Sequence, residues 1–216
     1  MKKHKNILTK SIEIYNIAAD KYGICSKAVL WNDPQTQHFR FYELVKNLDL
    51  NSEIKTLLDI GCGNCELYKF LNFLGFRGQY TGYDINERLL EQARNRFSNI
   101  NIYKKDIMKE NIEQRFDYVV MSGLFNANVG QSLDWVYKFL NKMFSLCNEL
   151  SAFNMISTYV NYKDKKMLYL NPVEILAFCI ENLSKRVTLT HHNLPYNFTV
   201  IVFKNEDWIS VNRKLP

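Results

Sequence analysis

The chain has 216 residues, of which 47% are hydrophobic and 14% aromatic. This length fits one α/β domain and is short for two, and the composition excludes a mostly disordered chain. The formal net charge is +6, but the lysines and arginines are dispersed rather than collected in one block, which disfavours nucleic acid as a partner.

The N-terminus is basic, and no apolar run follows it. A signal peptide is therefore not predicted, and no stretch of the sequence is long enough to span a membrane. The five cysteines are odd in number and scattered, which is typical of a chain in a reducing compartment. We expect a soluble, cytoplasmic protein; the sequence does not indicate its oligomeric state.

Two helices are predicted before the first strand. Apolar residues recur at helical spacing over residues 10–21, and a second helix is predicted over residues 35–48. We expect residues 1–50 to form a helical cap of the same domain that residues 51–216 complete. The run Thr56–Ile60 then has the length of a strand and ends at Gly61.

From this strand onward, strands and helices alternate. Further strands are predicted over residues 79–83, 101–103, 116–121, 152–156, 187–190 and 198–203. Further helices are predicted over residues 65–74, 86–97 and 135–150, and from Asn171-Pro172, with Asn as N-cap. Alternation predicts an α/β fold: a Rossmann-like, doubly wound, mostly parallel seven-stranded sheet with helices on both faces. The short link between the last two strands reverses the last one.

The glycine-rich loop Asp59-Ile60-Gly61-Cys62-Gly63-Asn64 joins the first of these strands to a helix. Glycines allow a tight turn and close approach of the backbone to a ligand, and the helix N-terminus offers N–H donors. Glu66 stands where a dinucleotide-binding fingerprint has its third glycine, and its carboxylate would repel a pyrophosphate. The loop therefore predicts a ligand that has no phosphate at this turn.

The next strands end in acidic or small residues. Asp84 lies 21 residues beyond Gly63, a spacing that suits hydrogen bonds to ribose hydroxyls, although Asp84 or Asn86 could instead cap the following helix. Asp106 and Ser122 follow the third and fourth strands. In open parallel sheets, ligands bind at this carboxyl-terminal edge.

These residues resemble those of the class I S-adenosylmethionine-dependent methyltransferases, over about residues 56–203. The resemblance implies S-adenosylmethionine as cofactor, with its methionine portion in the first loop, its ribose at Asp84 and its adenine amino group at Asp106. The residues that it assigns to the cofactor are Asp59, Gly61, Cys62, Gly63, Asp84, Ile85, Asp106, Ile107 and Ser122.

The segment 152–160 and the region from Tyr22 to Trp31 are similar to small bacterial methyltransferases associated with surface carbohydrates. This narrower resemblance implies a small polar acceptor, such as a hydroxyl of a sugar or surface-glycan precursor. The segment 122–126 lacks the Asn/Asp-Pro-Pro-aromatic pattern of enzymes that methylate base amino groups, which disfavours a DNA adenine methyltransferase. An RNA methyltransferase and a non-catalytic protein that binds the cofactor stay open as alternatives.

A hydroxyl acceptor benefits from a general base. His191 and His192 follow the penultimate strand and are the catalytic candidates, but neighbouring residues of an extended segment point opposite ways, so one at most faces the site. Arg40 could bind the cofactor's carboxylate or form a surface salt bridge. Aromatic residues could also cover the cofactor as a lid: Tyr15, Tyr22, Trp31 and Phe41.

Cys62 and Cys65 form a Cys-x-x-Cys pair, a spacing also found in zinc and redox sites. The sequence has no second Cys-x-x-Cys or Cys-x-x-His pair to complete a zinc site. Cys147 and Cys179 are isolated within helical patterns. We therefore predict no metal site and interpret the pair as small residues of a tight loop.

Overall fold

The computed structural model describes residues 2–23, 33–192 and 194–204. These residues form a seven-stranded sheet with helices on both faces. The helices are α1 (Lys2–Tyr22), α2 (Pro34–Val45), α3 (Glu66–Phe73), α4 (Glu87–Arg96), α5 (Leu133–Ser145) and α6 (Pro172–Asn182). The strands are β1 (Thr56–Ile60), β2 (Gln79–Asp84), β3 (Asn101–Lys104), β4 (Phe116–Ser122), β5 (Cys147–Ile156), β6 (Val187–Thr190) and β7 (Asn197–Phe203).

The strand order is β3-β2-β1-β4-β5-β7-β6, and β1 to β5 are mutually parallel. Strand β7 runs antiparallel to both of its neighbours, β5 and β6. The order reverses between β1 and β4, which places a crevice beyond the carboxyl ends of these two strands. The predicted doubly wound sheet with a reversed last strand is confirmed.

The predicted helix over residues 135–150 is wrong in its last turn. Helix α5 ends at Ser145, and Cys147 begins the ten-residue strand β5. Cys147 pairs with Phe116 of β4, and Leu150 pairs with Phe203 of β7. Pairing with strands on both sides outweighs the helical pattern of the sequence at this point. Cys147 is therefore a strand residue, whereas Cys179 lies in α6 as predicted.

The N-terminal helix is longer than its apolar pattern predicted, because α1 already begins at Lys2. Helix α2 begins at Pro34, and the Asp33 side chain caps it by accepting hydrogen bonds from two backbone N–H groups. The predicted cap of α6 is confirmed, because Asn171 Oδ1 accepts from Val173 N at 2.9 Å and Pro172 takes the first helical position. No helix in the described ranges is long and apolar enough to cross a membrane.

Two apolar layers cover the two faces of the sheet. Leu58, Val119 and Phe153 belong to one layer, together with residues of α5 and α6. Leu57 and Val120 belong to the other, together with residues of α2, α3 and α4. Neighbouring residues of one strand thus enter opposite layers, as the alternation of a strand requires.

Leu58→Ala removes a fully buried side chain from the centre of the sheet. We expect it to lower the free energy of unfolding by about 2–5 kcal/mol, because it leaves a cavity in a packed core. Ile54→Ala is the matched control, since Ile54 is 82% exposed, and should change stability by less than about 0.5 kcal/mol. Urea unfolding followed by circular dichroism measures both. Equal losses in the two variants would contradict the described packing.

Candidate active site

The loop after β1 turns through left-handed glycines. Gly61 has φ +76° and Gly63 has φ +53°, and Gly61 N donates a hydrogen bond to Tyr83 O at 2.7 Å. A Cβ on Gly61 would lie 2.7 Å from Leu124 Cδ1, so a side chain there would be both strained and crowded. The glycines therefore let the loop pass between β2 and the segment after β4.

Asp84, at the end of β2, holds this loop. Its Oδ2 accepts from Gly63 N at 2.8 Å, and its Oδ1 accepts from Asn86 N at 2.8 Å. Asn86, rather than Asp84, caps α4 by accepting from Leu89 N. Burial raises the pKa of Asp84, while these backbone hydrogen bonds oppose the shift. The carboxylate is therefore fixed toward the loop, and its further lone pairs can accept from a ligand.

Asp59 lies beneath the loop and is 2% exposed. The Tyr80 hydroxyl donates to Asp59 Oδ2 at 2.8 Å. Burial raises the pKa of Asp59 from 3.8 to about 7, and the negative charge of Asp84 adds to the shift, while the Tyr80 hydrogen bond opposes it. Two acidic side chains thus share one enclosed region, a pattern typical of functional sites.

Asp106, after β3, is bonded to the first turn of α1. His4 Nε2 donates to Asp106 Oδ2 at 2.8 Å, and Trp135 Nε1 donates to His4 Nδ1 at 3.3 Å. The acceptor role of Nδ1 requires the proton on Nε2. Asp106 Oδ1 also accepts from Met108 N at 3.0 Å. Helix α1 is thereby attached to the carboxyl edge of the sheet.

Helix α1 crosses the cavity at this edge. Near one end, Ile7 packs on Val129 of the loop before α5, and near the other end Ala19 packs on Leu89 of α4. Asn86 Nδ2 donates to Asn16 Oδ1 at 3.0 Å and fixes the same end. The cavity is therefore covered along one side by a helix rather than by a loop.

Every residue that the sequence assigned to the cofactor lines this one cavity: Asp59, Gly61, Cys62, Gly63, Asp84, Ile85, Asp106, Ile107 and Ser122. Asn64 also lines it; this residue is fully buried, and both polar atoms of its side chain lack a partner in the described part of the chain. The negative charge of Glu66 is paired with Arg96, which donates to Glu66 Oε1 at 2.6 Å. A buried amide and buried acids beside a glycine loop fit a polar ligand.

Of the four aromatic residues that were predicted as a lid, two line the cavity. Tyr15 and Phe41 line the cavity, whereas Tyr22 does not line it and is 41% exposed. Burial raises the pKa of Tyr15 to about 12, with Asp84 as the second cause, so this hydroxyl keeps its proton. Trp31 lies outside the described residues.

Helix α1 contributes further residues that were not predicted. His4, Leu8 and Ser11 line the cavity together with Tyr15. Their spacing of three or four residues places them on one face of a helix, and this spacing is the signal that could have identified them. The lysines that lie between these positions obscured the pattern at the N-terminus.

Arg40 is buried between two cavities, so it does not lie at the surface, where one of the two sequence hypotheses placed it. It is 1% exposed, and its Nε donates to Asn154 Oδ1 at 3.0 Å. Asn154 Oδ1 also accepts from Gly123 N at 3.2 Å and from Ser122 Oγ at 3.3 Å. Ser122 and Gly123 line the first cavity, whereas Arg40 lines a second one.

His191 and His192 line neither cavity in the described structure. Both are exposed on the segment after β6, and the His191 ring packs edge-on against Tyr159, with ring centroids 6.1 Å apart. Tyr159 adjoins Val160, which lines the second cavity. Their role as general base stays a prediction.

Cys62 and Cys65 are both buried free thiols of the first loop. Burial raises the pKa of Cys62 well above its usual range, and the neighbouring Cys65 adds to the shift. A thiol that keeps its proton is a weak nucleophile and a weak metal ligand. Within the described ranges, no group of His, Cys, Asp and Glu side chains could hold a metal ion.

A glycine loop after β1, acids after β2 and β3, and a reversed last strand define a class I methyltransferase fold. Residues 51–195 match the family model described as a methyltransferase domain, and the chain therefore belongs to this family. The predicted class of enzyme is thereby confirmed.

One relative of known sequence carries the same assignment. Rv1506c of Mycobacterium tuberculosis, a protein whose name assigns it as a methyltransferase, is 29% identical over 153 residues, which cover 68% of this chain and 91% of the relative.

Solved structures share the fold. A magnesium protoporphyrin IX methyltransferase of Synechocystis PCC 6803 with bound S-adenosylhomocysteine has a TM-score of 0.61 and 15% identity, over 79% of this chain and 83% of that chain. An S-adenosylmethionine-dependent methyltransferase of Clostridium acetobutylicum ATCC 824 has a TM-score of 0.60 and 16% identity, over 88% of this chain and 98% of that chain. The predicted cofactor, S-adenosylmethionine, is consistent with these neighbours.

Asp59→Asn tests whether the folded protein raises the pKa of Asp59. Because burial raises the folded-state pKa of Asp59 to about 7, the folded protein holds this proton between about pH 4 and pH 7 while the unfolded chain releases it. The stability of the wild type relative to the variant should therefore fall as pH rises through this window, by up to about 1.4 kcal/mol per pH unit. Urea unfolding at several pH values measures the difference, and a difference independent of pH would contradict the raised pKa.

Proposed function

We propose that this protein transfers the methyl group of S-adenosylmethionine to a hydroxyl group of a sugar or surface-glycan precursor. The observation that supports it is the pair of neighbouring cavities at the carboxyl edge of the sheet, between which Asn154 accepts hydrogen bonds from Arg40 of one wall and from Gly123 N of the other. The first cavity carries the residues that bind the methyl donor in the family resemblance. The second is lined by amide, aromatic and cationic side chains, a chemistry that suits a small polar acceptor.

The residues of the first cavity fit the donor part by part. In this proposal the Asp84 carboxylate accepts from the ribose hydroxyls, and the loop of Gly61 and Gly63 takes the methionine portion. Asn64 supplies both a donor and an acceptor at the loop, which suits the amino and carboxylate groups of an amino acid. Asp106 takes the adenine amino group, and its carboxylate is shared with His4.

The donor, when bound, supplies a methyl group already activated on a positively charged sulfur. The protein then has to align an acceptor oxygen with the sulfur–methyl bond and to exclude water. Helix α1 covers the first cavity, and the network of Arg40, Asn154 and Ser122 forms the border with the second. This arrangement suits a reaction that depends on alignment.

A hydroxyl acceptor has to lose a proton during the transfer. We retain His191 and His192 as the proposed base, because the His191 ring packs on the residue before Val160, at the edge of the second cavity. His4 lines the first cavity, but both of its ring nitrogens take part in hydrogen bonds to Asp106 and Trp135.

Asp84→Ala tests the donor site. We expect the affinity for S-adenosylhomocysteine to fall about tenfold to a hundredfold, because hydrogen bonds to a charged group contribute about 1.5–3 kcal/mol. Calorimetric titration measures this affinity, and circular dichroism confirms that the variant is folded. Asp134→Ala is the matched control, because Asp134 is exposed on α5 and pairs with Lys138. A folded wild-type protein that does not bind the compound at millimolar concentration would contradict the donor site.

Methyl transfer itself is tested with radiolabelled S-adenosylmethionine and a panel of sugars, sugar acids, nucleotide sugars and RNA. We expect label in a sugar or sugar-derived acceptor as an acid-stable ether. Label in RNA, with binding that weakens steeply as salt rises, would instead indicate an RNA methyltransferase. Tight donor binding without transfer to any acceptor would indicate a non-catalytic binding protein.

A further inference from the structure

Two buried carboxamides line the first cavity. Gln37 of α2 is 2% exposed, and Asn64 of the first loop is fully buried. Among the residues that the structure describes, neither side chain has a hydrogen-bond partner. A buried polar group without a partner is unfavourable in a folded protein, so an unpaired one in a cavity wall favours a ligand that pairs it. Each carboxamide offers such a ligand both a donor and an acceptor.

Gln37 lies on the side of the cavity that the first loop and α3 form. The rings of its neighbours His38 and Phe41 both pack against Phe70 of α3, with centroids 5.4 and 5.7 Å apart. Phe41 also lines the first cavity, and its spacing of four residues from Gln37 places the two on the same face of α2. The Gln37 amide therefore belongs to the part of the wall that adjoins the glycine turn.

Helix α1 brings a third polar group to this region. Tyr15 lines the cavity, and its ring packs with Ala19 and Leu89. Burial raises the pKa of Tyr15 to about 12, and the charges of Asp84 and Arg40 act on it as well. The hydroxyl thus lies within electrostatic reach of the carboxylate that holds the first loop and of the guanidinium of α2. It keeps its proton and can donate a hydrogen bond to a ligand.

The basic residues that line the first cavity lie at its other end. Within the described ranges they are His4, which is bonded to Asp106, and Lys105, which precedes Asp106 in the chain. At the loop, Glu66 is paired with Arg96, so the charge of Glu66 does not stand alone beside a ligand. A ligand carboxylate at the loop would therefore be bound by uncharged donors.

We propose that Gln37 and Tyr15, together with Asn64, hold the amino-acid end of S-adenosylmethionine, so that helices α1 and α2 complete the donor site. The proposal rests on the proposed function and deepens its donor site, in which the loop alone took the methionine portion. The amide N–H groups and the hydroxyl donate to the carboxylate, and the amide oxygens accept from the ammonium group. Uncharged groups of two helices that precede the sheet thus recognise this end of the donor.

Two ligands that differ in the amino-acid end test this assignment. S-adenosylhomocysteine carries that end, whereas 5′-methylthioadenosine keeps the adenosine and the sulfur and lacks it. In Gln37→Leu we expect the affinity for S-adenosylhomocysteine to fall about tenfold, as for one lost hydrogen bond to a charged group. The affinity for 5′-methylthioadenosine should not change. NMR titration of the full-length, 15N-labelled protein measures both affinities, including weak ones.

Gln35→Leu is the matched control, because it makes the same substitution at an exposed position of α2 and should change neither affinity. Tyr15→Phe removes only the hydroxyl and leaves the ring packed with Ala19 and Leu89. It should weaken S-adenosylhomocysteine alone, and it replaces Gln37→Leu if that variant does not fold.

Two results would overturn the proposal. Equal weakening of both ligands in the folded variant would assign the substituted group to the adenosine part or to the fold. Unchanged affinity for both ligands would show that the group does not bind the donor.

This proposal and the proposed function can fail separately. Methyl transfer to a sugar, with a donor KM that Gln37→Leu leaves unchanged, would overturn the role of Gln37 and leave the proposed function intact. A selective loss of S-adenosylhomocysteine affinity in Gln37→Leu, with no methyl transfer to any sugar, would overturn the proposed function and leave the assignment of the amino-acid end intact.

Discussion

The hydrogen bonds of the Asp84 carboxylate join the ends of β1 and β2, and the rest of the site is arranged around them. One oxygen holds Gly63 N in the first loop, and the other holds Asn86 N at the start of α4. This is possible because parallel neighbours end at the same edge of a sheet. Gly82 of β2 leaves room for the Cys62 side chain of the first loop, since a Cβ there would lie 2.8 Å from Cys62 Sγ.

Burial of this edge has an electrostatic consequence. Helix α1 covers the cavity, and the enclosed carboxylates of Asp59 and Asp84 both have raised pKa values. Burial likewise lowers the pKa of Arg40, a residue of α2 that lines the second cavity. Charged groups in such surroundings interact more strongly with a ligand than they would in water. The same enclosure that destabilises these charges therefore suits them to bind a polar ligand.

Local sequence patterns predicted most of the fold. The strand Thr56–Ile60 has the predicted bounds, and the cap at Asn171 is where the sequence placed it. These features depend on short-range chemistry: apolar runs, glycine turns and capping side chains. The boundary at Cys147 could not be predicted in this way, because a helical pattern continues into a strand that is stabilised by its partners β4 and β7.

The sequence by itself determined which acidic residues line the first cavity at the ends of the strands. Asp84 and Asp106 follow successive parallel strands, and chain connectivity alone brings such strand ends to one edge. Only the tertiary structure decided what faces them: His4 reaches Asp106 across 102 residues, and Arg40 reaches Asn154 across 114. Contacts of this separation depend on how α1 and α2 pack on the sheet, and no spacing along the chain encodes that packing.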